Sequence, residues 1–167
     1  TVVVGAFLED EDAAGMNMVS AAGSAYIFSQ DQGGSNNWGQ AQKIVLEDVA
    51  INQNYGYSVA IDGNYAVVGA SGDVTDATGG AGLLGAGAAY ILQKNGGVWQ
   101  EVKKLVASDR ATGDNFGISV AISGTTVVVG AYLEDEDAAG LNTRTAAGSA
   151  YLFSQDQGGS NNWGQVK

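Results

Sequence analysis

Two stretches lying 125 residues apart are almost the same sequence. Thr1–Gln42 and Thr126–Lys167 align without a gap and agree at 34 of 42 positions. A looser copy lies between them. Asn54-Tyr55-Gly56-Tyr57-Ser58-Val59-Ala60-Ile61 returns as Asn115-Phe116-Gly117-Ile118-Ser119-Val120-Ala121-Ile122, and Trp38 returns as Trp99 and Trp163. The resulting periods are 64 and 61 residues. Strand-rich repeats of this size form stacked units, none of which buries its own faces alone. The units run 1–61, 62–122 and 123–167, each opening on its second strand, the first two closing on the first strand of the next. The third stops inside its fourth strand.

Each unit reads as four short strands, a to d. Strand a is Ser58–Ile61 and Ser119–Ile122, followed by the hairpin signals Asp62-Gly63 and Ser123-Gly124. Strand b is Thr1–Ala6, Tyr65–Ala70 and Thr126–Ala131; strand c is Gly23–Ser29, Gly87–Gln93 and Gly148–Ser154. Both are apolar without alternation, which means that both sheet faces are covered. Strand d, Trp38–Leu46, Trp99–Val106 and Trp163–Lys167, mixes apolar residues with charge. Four of the seven basic residues (Lys43, Lys103, Lys104, Lys167) fall there, and lysine on an outer strand discourages edge pairing.

The fold class is therefore all-β: about three consecutive four-stranded antiparallel blades of a β-propeller. A β-solenoid is the rival, but its coils are shorter and need no lysine-rich fourth strand. The spacing from Tyr26 to Trp38 is 12 residues and from Tyr90 to Trp99 nine, so the length change sits in the c–d turn, where loops absorb insertions. Three blades do not close a ring of about four to eight. The expectation is a part of a larger propeller or one completed by oligomerisation, as a homo-oligomer or within a longer chain.

Phe116-Gly117 or Tyr55-Gly56, then Ser-Val-Ala-Ile, Val-Val-Gly-Ala and Ala-Tyr-Ile or Ala-Tyr-Leu, in that order across nearly the whole chain, resemble the FG-GAP repeat of integrin α-chain propellers. Two departures stand out. The proline of the family's Gly-Ala-Pro is replaced by Phe7, Ser71 and Tyr132. The a–b connection is only Asp62-Gly63 or Ser123-Gly124, too short for the Asp-rich calcium loop that integrin-type repeats carry there. The resemblance implies an extracellular or cell-surface propeller that binds or adheres to a protein or glycan ligand.

Composition excludes much chemistry. The chain has no cysteine and no histidine, hence no thiolate or imidazole nucleophile, base or metal ligand. Its net charge of −11 disfavours nucleic acid. No apolar run approaches the roughly 18–20 residues of a membrane span. In a meander, b–c loops and d–a connectors emerge at one end, and 14 of the 18 acids lie there. The sharpest cluster is Leu-Glu-Asp-Glu-Asp-Ala-Ala-Gly, at Leu8–Gly15 and Leu133–Gly140. It reads either as a solvated acidic loop or as a Ca²⁺ site in which Asp10 and Asp12, with Asp135 and Asp137, are the carboxylate ligands and Asn17 and Asn142 assist. An EF-hand it is not, since Ala14 and Ala21 occupy liganding positions.

Four adjacent acids in a polar loop are a poor place to hold one carboxyl protonated for acid–base work, and catalysis needs one site rather than one per blade. The chain reads as a non-enzyme with no obligatory cofactor. Its function reads as binding or adhesion through the acidic loop face, with self-assembly through open blade edges into a filament or layer as the alternative. The repeated Trp and Tyr residues read as blade packing rather than sugar platforms. Phe7 and Tyr132, which interchange between near-identical copies, read as a packed ring.

Overall fold

The computed structural model describes residues 1–11, 18–80, 82–136 and 143–167. Eleven strands and no helix occur among them. β1 (Val2–Ala6), β2 (Ser24–Ser29) and β3 (Gly39–Ile44) form one sheet. β4 (Tyr55–Asp62), β5 (Tyr65–Ala70), β6 (Ala88–Asn95) and β7 (Val98–Leu105) form the second. β8 (Ser119–Ser123), β9 (Thr126–Ala131), β10 (Ser149–Ser154) and β11 (Gly164–Gln165) form the third. Every pairing is antiparallel between chain neighbours, so each sheet is the expected a-b-c-d meander, with the first beginning at b.

Two apolar layers separate the three sheets. Ala66, Val68, Ala70, Ala88, Tyr90 and Leu92 face the first sheet and pack with Val3, Ala25, Ile27 and Ile44. The alternate residues Val67, Ala89 and Ile91 face the third and pack with Val127, Val129 and Phe153. A sheet buried on both sides needs apolar residues at every position, which is why b and c show no alternation.

A β-bulge sets the aim of the d strands. The β6–β7 register slips between Ile91 and Leu92, leaving Val102 without an opposite residue, and β2–β3 slips at the matching place, leaving Ala41. One extra residue reverses which way later side chains point. Trp99 thus packs into the layer on the first blade while Leu105 packs into the layer on the third.

The motif residues meet one another between blades. A Cβ placed on Gly5 would stand 1.9 Å from the carbonyl oxygen of Gly56, and one on Gly69 would stand 2.0 Å from that of Gly117. Gly56 and Gly117 themselves have positive φ (89° and 90°). The Gly-Ala glycine of one blade is thus the seat for the Phe-Gly turn of the next, whose ring (Tyr55, Phe116) is fully buried beside it.

Near-identical residues meet opposite fates on the two outer faces. Trp163 is 2% exposed against the second blade, whereas Trp38, its equivalent, is 51% exposed. Val3 is 8% exposed and its equivalent Val128 is 40% exposed, because the covered face of the first blade is the open face of the third. The expectation that every tryptophan is core thus holds for Trp99 and Trp163 but not for Trp38. Phe7 and Tyr132 are likewise half-exposed at the loop end, Phe7 resting on Tyr57 with ring centroids 4.9 Å apart.

Candidate functional site

The b–c loops and d–a connectors do share one end, where backbone hydrogen bonds join them. The amides of Asn52, Asn54 and Tyr55 donate to the carbonyls of Ser20, Ala21 and Ala22, and those of Gly113, Asn115 and Phe116 donate to Leu84, Gly85 and Ala86. Inside each connector one buried polar side chain holds the turn. Gln53 accepts from the Ala50 amide (2.7 Å) and donates to the Asp48 carbonyl (3.0 Å), while Asp114 accepts from the Ala111 amide (2.6 Å). The acids of this face therefore ride on a braced surface.

The first acid of each loop turns inward. Glu9, Asp73 and Glu134 occupy the same repeat position, and in each copy the amide after the loop (Gly23, Gly87, Gly148) donates to the carbonyl of that acid at 2.9 Å. Tyr26 donates its hydroxyl to Glu9, whose carboxylate also faces the Lys43 ammonium at 3.4 Å. Tyr90 donates to Asp73, and Lys104 reaches both carboxylate oxygens of Asp73 at 3.0 Å and the Thr75 hydroxyl at 2.5 Å. In the third blade Ser149 donates to Glu134 at 2.5 Å. The Tyr26 hydrogen bond, aided by Lys43, holds the Glu9 carboxyl below the ordinary range, and it pushes the Tyr26 phenol up to about 12. Burial, then the Asp73 charge, pushes the Tyr90 phenol up as well.

This acid–Tyr–Lys staple was invisible in the sequence pattern, where Glu9 and Glu134 look like members of a solvated tetrad. The signal was the invariance of an acid at one repeat position through all three copies. It also reassigns the lysines. Lys43 and Lys104 hold loop carboxylates, and Lys103 donates to Asn162 of the third blade at 3.2 Å, so these side chains tie elements together instead of guarding an edge.

Of the four candidate calcium ligands, the structure places two. Asp10 accepts the Ala21 amide at 2.7 Å and Asp135 accepts the Ala146 amide at 2.5 Å, each closing the neck of its loop. Glu11 bridges Met18, and Glu136 bridges Thr143, in antiparallel pairs just above those necks. Asp12 and Asp137, with Asn17 and Asn142, lie outside the described residues. Among the described residues no three acids are grouped to hold a metal ion. In the middle loop Asp73 is withdrawn into the blade like Glu134, and Asp76 is wrapped by Thr78 and the Gly80 amide, which hold its carboxyl below the ordinary range.

A cleft of about 710 Å3 opens at the outer rim of this face, between the d strands of the first two blades. Lys43, Glu47 and Asp48 line one wall, Trp99 and Glu101 the other, and Thr78 the loop side. Loss of surrounding water, then the charges of Asp48 and Glu47, push the Glu101 carboxyl up, partly offset by Lys104. The matching place between the second and third blades is bridged. There Ser108 and Gln165 replace Glu47 and Glu101, and they clasp each other through two 3.0 Å hydrogen bonds.

Four-stranded meanders stacked face to face, with loops gathered at one end, define a run of β-propeller blades. The FG-GAP repeat model matches residues 38–92 and 99–153, about two thirds of the chain. The chain belongs to the FG-GAP repeat family. Each matched unit starts at strand d and runs through a, b and c of the next sheet, so it spans the blade junction where the motif glycines meet. No curated protein matches the chain. No helix among the described residues is long and apolar enough to cross a membrane.

Proposed function

We propose that this chain is a non-enzymatic binding or adhesion module of the extracellular or cell-surface kind, recognising a protein or glycan ligand through its acidic loop face. The observation that carries the reading is the braced loop end: connectors and loops are bonded to each other, Glu47, Asp48 and Glu101 line an open cleft, and Glu11 and Glu136 stand on the b–c loops of the same end. The buried acids are committed to structural partners, Asp73 to Lys104 and Tyr90, Glu134 to Ser149. A ligand for such a face carries positive charge or sugar hydroxyls, and its association weakens with salt. The test is a glycan array and an array of Arg/Lys-rich peptides, probed with the chain at low and high salt. Salt-sensitive capture that Glu11→Gln with Glu136→Gln diminishes supports the reading; capture by nothing on either array, or capture indifferent to both salt and the substitutions, overturns it.

A second reading, self-assembly through open blade faces, draws on one specific contrast. Trp38 and Val128 are exposed where their repeat equivalents are buried by a neighbouring blade. Light scattering and electron microscopy over a range of concentrations separate the two, because only assembly predicts ordered polymers.

A further inference from the structure

The cleft between the first two blades differs from its counterpart at the next junction in two ways at once. Glu47 and Glu101 stand where Ser108 and Gln165 form their clasp, and Tyr55 stands where the later copy has Phe116. Both rings are buried, Tyr55 at 1% exposure and Phe116 at 0%. Phe116 shows that packing at this position needs no hydroxyl. Tyr55 carries one all the same, and it has no hydrogen-bond partner. A buried polar atom left unpaired costs stability, and native proteins retain few of them. This one lies within reach of the cleft. Its ring packs edge-on against Tyr90, a lining residue, with centroids 5.5 Å apart. Burial, then the charge of Glu101 on the cleft wall, pushes the Tyr55 phenol up.

Charge in the cleft is unbalanced. Lys104 is committed to Asp73 at 3.0 Å, and Lys43 faces Glu9 at 3.4 Å. No hydrogen bond or ion pair among the described residues engages the carboxylates of Glu47, Asp48 or Glu101. A bare metal ion does not suit them, since among the described residues no three acids are grouped to hold one. A cleft of about 710 Å3 is instead of the size that takes a small molecule or a long side chain. Ile44 and Trp99 add apolar surface to its walls, which suits an aliphatic stem carrying a charged head.

We propose that this cleft binds an organic cation on an aliphatic stem, an alkylammonium or guanidinium group. Glu47, Asp48 and Glu101 supply the counter-charge, and the Tyr55 hydroxyl supplies a polar contact that Phe116 cannot. The proposal rests on the binding reading above and deepens it, naming where on the acidic end the ligand sits and what it carries. The chemistry has two sources, a Lys or Arg side chain of a protein partner and a free polyamine. Because the clasp bridges the second junction, the chain offers one such site.

The test is isothermal titration calorimetry of the 167-residue chain at low salt. The probes are spermidine and the blocked tripeptides Ala-Lys-Ala and Ala-Arg-Ala, with Ala-Gln-Ala as the neutral control. The expected result is saturable one-to-one binding of a cationic probe and none of the control. A tripeptide response assigns the site to a basic side chain, and a response to spermidine alone assigns it to a polyamine. Glu47→Ser with Glu101→Gln, which copies the clasp, weakens binding about tenfold or more. Tyr55→Phe, which copies Phe116, weakens it severalfold while the chain stays folded. No saturable binding of any cationic probe, or binding indifferent to either of these changes, overturns the proposal. Array capture that Glu11→Gln with Glu136→Gln diminishes, but that persists in full when the clasp is copied, overturns the cleft and leaves the broader binding reading standing. Capture by nothing on either array overturns both.

Discussion

The ammonium of Lys104 stands 3.0 Å from each carboxylate oxygen of Asp73, and Asp73 has no surface open to water. A buried carboxylate tolerates its site only while its partners neutralise and hydrogen-bond it. Lys104→Met leaves that charge stranded and is expected to destabilise the chain by about 3–5 kcal/mol. Lys43→Met acts on the looser, 3.4 Å pair with Glu9 and is expected to cost about 1 kcal/mol or less. Urea unfolding of the two variants checks the ranking.

The same staple predicts a pH response. The Glu9 carboxyl has its folded value below its ordinary one, so its contribution is present above the ordinary carboxylate range and is lost as pH falls through the folded value. Tyr26→Phe removes the larger cause and is expected to flatten the stability profile on the acid side. An unchanged acid limb in Tyr26→Phe, measured by denaturation from pH 7 to pH 3, contradicts this account.

How legible this was in the sequence depends on whether a property repeats. Strands b and c, the hairpins and the blade order follow from periodic apolar runs that any copy displays, and ten of the eleven strands fall within two residues of the expected limits at each end. β4 is the outlier, because it starts at Tyr55, inside the Phe-Gly turn, three residues before the expected Ser58. Trp38 defeats repeat logic: its sequence context equals that of Trp163, but burial depends on a neighbour, which local sequence does not encode. Glu9 was hidden for a different reason. Its inward turn depends on Tyr26 and Lys43, 17 and 34 residues away, and tetrad composition suggested only solvation.

Trp38 and Trp163 provide a direct comparison of identical side chains. Trp163→Ala empties a filled position beside Tyr65, whose ring centroid lies 5.3 Å away, and is expected to cost about 3–5 kcal/mol. Trp38→Ala removes an exposed side chain and is expected to change stability by about 0.5 kcal/mol or less. Equal costs at the two positions would show that another surface covers Trp38 in solution.

Glu47 and Glu101 face each other across a cleft where the next junction has the Ser108–Gln165 clasp. Because the Glu101 carboxyl is pushed up, its ionisation costs stability as pH rises from the ordinary carboxylate value through the folded one. Glu47→Ser with Glu101→Gln is expected to rebuild the clasp and raise the Tm at pH 7. The charge-relief part of the gain, about 0.5–1 kcal/mol after solvent screening, should fade below pH 4. A gain that is no larger at pH 7 than at pH 4 argues that repulsion is not the cause.

Calcium is the last expectation, and the loop necks sharpen it. Asp10 and Asp135 already spend one oxygen each on a backbone amide, so a cation above the neck leans on their remaining oxygen and on Asp12 and Asp137. Alanine at Asp10 with Asp135 therefore removes a neck hydrogen bond from each loop and is expected to destabilise the chain even in chelator, by about 1–2 kcal/mol per loop. Alanine at Asp12 with Asp137 is expected to leave stability in chelator nearly unchanged while abolishing any gain from the ion. For the parent chain, Ca²⁺ at a hundredfold excess over its Kd stabilises by about 2.7 kcal/mol for each site. Thermal unfolding in millimolar Ca²⁺ against chelator, for the parent and both double variants, distinguishes a neck that only shapes the loop from one that also holds an ion. A parent Tm indifferent to Ca²⁺ returns Asp12 and Asp137 to a solvated acidic loop and leaves Asp10 and Asp135 with their structural role alone.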